Sequence, residues 1–115
     1  MVEPISRNCD AGASLALTNA LATTGVISIK GFAAAAIIIP NGAFLSGTPT
    51  TITWYGCDSI DGDFVIVTDS AGVDLSATAI QEERATPIPK DCVPFAYLKA
   101  VLDSGTASVR LTRKS

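Results

Sequence analysis

The sequence predicts a single all-β domain, a small antiparallel β-sandwich or jelly-roll-like barrel with an N-terminal arm. Three observations predict it. The chain has 115 residues, room for one domain. Runs of period-2 alternation recur from Val26 onward, the spacing of half-buried strands. Between those runs stand Asp, Asn, Gly and Pro, the residues that turns demand. About seven or eight strands are expected between Val26 and Arg113.

Each element has its own warrant. Val26–Lys30 alternates, with Ile27 and Ile29 on one face. Ala33–Ile39 is apolar on both faces, as in a strand covered on both sides. A seven-residue helix ending at Pro40 is the alternative, but β-branched Ile37, Ile38 and Ile39 favour the strand. Pro40-Asn41-Gly42-Ala43 carries the Asn-Gly pair of a type I′ hairpin. Thr50–Cys57 alternates again and puts Trp54 beside Ile52, toward a core, with Tyr55 on the opposite face. Phe64–Val67 reads as a further buried strand. Asp69-Ser70-Ala71-Gly72 and Asp103-Ser104-Gly105 each begin with Asp and end with Gly, which suits a type I turn closed by a residue with positive φ. The second is expected to join Phe95–Leu102 to Thr106–Arg113 as the closing hairpin. In that last strand Ala107, Val109 and Leu111 face the core, and Ser108, Arg110 and Thr112 face out. Pro87, Pro89 and Pro94 bracket a loop between Ala85 and Val93, where a central strand is forbidden.

Residues 1–24 lack this pattern. Leu15, Leu17 and Leu21 sit among Ala, Thr and Asn, compatible with a strand or a frayed helix. The segment is therefore expected to be an arm over residues 1–24, outside a body over 25–115. Its Ile5, Leu15, Leu17 and Leu21 are the candidate partner-binding residues.

Composition narrows the function. Apolar residues make up 48% and charged residues 17%, below the usual quarter, and the mean hydropathy is +0.40. Disorder is excluded, and much apolar surface is expected to meet a neighbour. The net charge of −3 argues against nucleic acid as a partner; Arg110, Arg113 and Lys114 are the only basic concentration. The longest apolar run, Phe32–Pro40, is half the length of a membrane-spanning helix. Met1–Asp10 shows no basic segment followed by an apolar one, so no secretory signal is expected.

Candidate chemistry is sparse. Asp58, Asp61, Asp63, Asp69 and Asp74 place five carboxylates within seventeen residues, with no base among them. Calcium takes such oxygen ligands, but the spacing is not that of an EF-hand loop, and a solvated hairpin turn is the plainer reading. Cys9, Cys57 and Cys92 form no CxxC, and no histidine completes a zinc site. They read as thiols in a reducing compartment, with a Cys57–Cys92 disulfide as the alternative. The absence of histidine removes the usual general base and the Ser-His and Cys-His nucleophile systems. Gly12-Ala13-Ser14-Leu15-Ala16 is one residue off a nucleophile elbow. No enzymatic site, cofactor or metal is expected. Tyr55 and Tyr97 are candidates for a small sugar-stacking platform.

Two stretches carry a family resemblance. Thr50–Gly72 has an aromatic-Gly strand end followed by an Asp-Gly hairpin into an aromatic-led strand. Pro89–Arg113 has a Pro-rich loop, then a Phe-x-Tyr-Leu-Lys strand turning into a final Val-x-Leu strand. Together they resemble the small β-sandwich cement or decoration proteins of tailed bacteriophages, over about half of the chain. The resemblance implies a virion structural protein, a homotrimer that binds and stabilises the major capsid protein shell at its surface. It also implies synthesis in the host cytoplasm, without catalysis. Seventeen alanines and twelve threonines suit flat, closely packed β surfaces with little side-chain entropy to lose. The alternatives are a tail or head-fibre β-module that binds host-surface glycans and a plain cytosolic binding domain.

Overall fold

A computed structural model describes residues 9–114, with side chains from residue 14 onward. The strands are β1 Cys9–Thr18, β2 Val26–Ser28, β3 Ala34–Ile39, β4 Phe44–Ser46, β5 Thr51–Cys57, β6 Val65–Ile66, β7 Ser76–Thr78, β8 Arg84–Pro87, β9 Tyr97–Leu102 and β10 Thr106–Lys114. A short 3-10 turn, Lys90–Cys92, precedes β9. All pairings are antiparallel, and they build two sheets that form a sandwich-like globule. The first runs β1-β10-β3-β8, with β4 also on β10; the second runs β2-β9-β5-β6, with β7 also on β5.

Alternation explains the core. Leu15, Leu17, Ile37, Ile39, Val109 and Leu111 from the first sheet are buried against Ile27, Ile52, Trp54, Leu98, Ala100 and Leu102 from the second. Burying each large aliphatic side chain contributes about 1.5–3 kcal/mol. On β10, Ala107, Val109 and Leu111 are buried while Ser108 and Arg110 are exposed, as the sequence requires.

The arm is the main correction. Residues 9–18 are a strand of the body: β1 pairs with β10 along its whole length, setting Leu15 opposite Val109 and Leu17 opposite Ala107. Leu15 and Leu17 are therefore core residues, not partner-binding ones. The physical reason is that β10 lies between two neighbours; without β1, one row of its N–H and C=O groups would lose its partners. Small residues hide the alternation, because the outward positions on either side of Leu15 are Ser14 and Ala16. Residues 19–25 are a knitted turn. Thr24 is buried, its hydroxyl donating to the Thr18 carbonyl at 3.1 Å, and the Gly25 N–H donates to the Ala16 carbonyl at 2.9 Å. Leu21, on that turn, is half-buried. Ile5 lies outside the described residues.

Three connections also differ from expectation. The Asp103-Ser104-Gly105 turn carries the chain from the second sheet to the first, so β9 and β10 belong to different sheets instead of forming a hairpin. The Pro40–Ala43 turn closes with the Ala43 N–H donating to the Pro40 carbonyl at 3.1 Å. Only Gly42 takes a positive φ, +80°, which marks a type II turn, since type I′ needs positive φ at both central residues. The turn makes no hairpin either: β3 and β4 follow one another along the same side of β10. Within the Pro-rich loop a strand does form, β8, but at the sheet edge and paired with β3 alone, where proline is tolerated.

Candidate functional site

The free edge of the second sheet carries the most unusual surface. β9 occupies one side of β5, and β6 and β7 follow one another along the other side. Between β6 and β7 the chain forms a small hairpin, with Thr68 bridged to Asp74. Its turn is built as the sequence predicts. The Asp69 carboxylate accepts the Ala71 N–H at 2.9 Å and the Val73 N–H at 3.0 Å, and Gly72 takes φ +80°. In the β5–β6 connection, Gly62 packs so closely on Cys57 that a Cβ there would lie 2.5 Å from its Sγ.

Large apolar side chains project from this edge. Ile60 is 54% exposed, Val65 58%, Ile66 39% and Val73 59%; Leu45, at 66%, is the fifth such residue of the described chain. The expectation of a buried strand at Phe64–Val67 is therefore met only by Val67. Two paired residues at a sheet edge leave Val65 and Ile66 with no layer above them. The sequence signal that locates this surface is the interleaving of apolar residues with aspartates between residues 58 and 74.

The aspartates form a rim rather than a cage. Asp58, Asp61, Asp63 and Asp74 are exposed, and Asp69 is committed to its own turn. Among the described residues no three Asp, Glu or Cys side chains converge where a metal ion could sit.

The two tyrosines do come together. Tyr55 stands opposite Lys99, and Tyr97 opposite Cys57, so the tyrosines are diagonal neighbours on the outer face of the second sheet, within reach of long side chains. Both are half-buried. Lys99 between them is anchored: its Nζ donates to the Leu21 carbonyl at 3.0 Å and lies 4.9 Å from the centre of the Phe64 ring. Trp54 is fully buried on the opposite face, as expected, and its Nε1 has no hydrogen-bond partner among the described residues.

The thiols of Cys57 and Cys92 are unpaired and buried, which settles the disulfide alternative for this pair. Burial, then the neighbouring Asp91 charge, pushes the Cys92 thiol up to about 12; such a thiol is a poor nucleophile. Ser14, from the sequence resembling a nucleophile elbow, sits within β1 opposite Arg110, not on a strand-to-helix turn. Arg113 donates to the Ser28 carbonyl and lies 4.7 Å from the centre of the Phe32 ring. An open groove between β7 and β8 is lined by Ala77, Ile80, Gln81, Arg84 and Thr86, among others. Arg84 is its one charged lining residue.

No family model, curated protein or solved structure matches the chain. No helix among the described residues is long and apolar enough to cross a membrane.

Proposed function

We propose that this protein is a virion structural protein, a cement or decoration protein that assembles as a homotrimer and stabilises the shell of a major capsid protein from its outer surface. The observation that carries the reading is the β6 edge. Among the described residues, four of the five exposed large apolar side chains fall between Ile60 and Val73. Scattered exposed leucines need no explanation, but apolar residues grouped on one edge mark a surface that is covered in use. Shell attachment is a matter of burial and geometry, and a rigid sandwich with an apolar edge serves it. The arm plays no part over residues 9–18, which are structural.

A second reading has one observation in its favour. The diagonal Tyr55–Tyr97 pair offers two rings on one face, the minimum for stacking against a sugar, as in a tail or head-fibre module that binds host glycans.

Size-exclusion chromatography with light scattering and a glycan array separate the two. A stable trimer that co-purifies with capsids, leaves them on mild denaturation and retains no glycan supports the cement reading. A monomer that retains a sugar, lost in Tyr55→Ala and Tyr97→Ala, supports the fibre reading.

A further inference from the structure

The β6 edge is apolar and anionic at once; the cation beside it, Lys99, directs its Nζ to the Leu21 carbonyl and the Phe64 ring. No lysine or arginine occurs between Lys30 and Arg84. Among the described residues none of Asp58, Asp61, Asp63, Asp69 and Asp74 is engaged in an ion pair. An ordinary apolar partner would bring its own surface against uncompensated carboxylates, and an acidic partner would be repelled.

Among the described strands, a second copy of this chain offers little of the missing charge at an open edge. Of the strands paired on one side only, β1, β2, β4, β6 and β7 contain no lysine or arginine, and β8 contains Arg84 alone. The most basic strand, β10, with Arg110, Arg113 and Lys114, is flanked on both sides and has no free edge.

Resting on the reading of this edge as the docking surface, we infer that its occupant is a basic segment of the capsid subunit, with lysines or arginines alternating with apolar side chains. The apolar side chains cover Ile60, Val65, Ile66 and Val73. The cations meet Asp58, Asp61, Asp63 and Asp74. The charged part of the contact weakens with salt and the apolar part does not. Both are needed, because exposed ion pairs alone contribute little.

The test uses the full chain, isotope-labelled for amide NMR, titrated at low salt with three acetylated peptides: KVKVKVK, KGKGKGK and EVEVEVE. The expected result is saturable shifts confined to residues 58–74 with KVKVKVK, binding about tenfold weaker with KGKGKGK, and none with EVEVEVE. Two variants on exposed positions, D58N/D61N/D63N and V65S/V73S, each weaken KVKVKVK binding about tenfold while their melting temperatures confirm folding. Shifts mapping elsewhere, or equal binding by V65S/V73S, overturn the inference. Assembled shells of the capsid protein separate it from the functional reading. If shells retain native protein and D58N/D61N/D63N equally, the basic-partner inference fails and the cement reading stands. If the peptide binds this edge but shells ignore the native protein, the cement reading fails and the edge's preference for a basic segment stands.

Discussion

The carboxylate of Asp103 holds Thr50, accepting its hydroxyl at 2.6 Å and its backbone N–H at 2.9 Å, and reaches the Thr51 N–H at 3.1 Å. The residue that opens the turn between the sheets thus also fixes the start of β5. These bonds, the Thr50 hydroxyl first, hold the Asp103 carboxyl down at about 2. A carboxyl lowered in the folded state contributes stability above its unfolded value, lost as pH falls through the folded one. The melting temperature should therefore drop between about pH 5 and pH 2. Asp103→Asn should flatten that part of the profile; thermal melts across the range check it, and an unchanged slope would contradict the assignment.

Gly105 should prove irreplaceable, whereas Gly72 should not. Both take positive φ, +72° and +80°. A Cβ at 105 would lie 2.0 Å from the Ser46 carbonyl oxygen, while one at 72 meets nothing within 4 Å. Gly72→Ala should cost about 1 kcal/mol from backbone strain alone. Gly105→Ala adds a clash with backbone and should cost at least about 3 kcal/mol. Urea denaturation of the two variants measures the difference.

Leu17→Ala should destabilise the protein by about 2–5 kcal/mol, the range for emptying a packed leucine site. Leu21→Ala, on the half-buried turn, should cost less. Deleting residues 1–24 should abolish the cooperative unfolding transition, because it strips β1 from β10. A truncated chain that melts cooperatively would restore the detached arm.

Cys92 should resist alkylation by iodoacetamide at pH 8 in the native protein and react on denaturation, since its thiol is fully buried and pushed up to about 12. Peptide mapping after trapping should recover Cys57 and Cys92 without a bond between them.

The sandwich was legible wherever alternation used large residues. Val109 and Leu111 set against Ser108 and Arg110 leave no doubt about which face of β10 is inside, and Asp69-Ser70-Ala71-Gly72 specifies its own turn. Legibility failed where the signal is local and the answer is not. An Asp-Ser-Gly turn has the same chemistry whether it joins adjacent strands or crosses between sheets, so the path from β9 to β10 could not be read from it. Ser14 and Ala16, the small residues on either side of Leu15, blur the period that defines β1. The candidate edge was half legible: its aspartates stood out as solvated. The exposure of Val65 and Ile66 depends on their lying at the rim of a sheet, which an apolar run does not reveal.

The proposed attachment to a capsid shell can be measured by sedimenting assembled shells with increasing amounts of the purified protein and then melting the pellets. Saturable co-sedimentation at a fixed ratio to the capsid subunit is expected, with a higher melting temperature for the decorated shells. Protein that stays in the supernatant at every concentration, with shell melting unchanged, would contradict it.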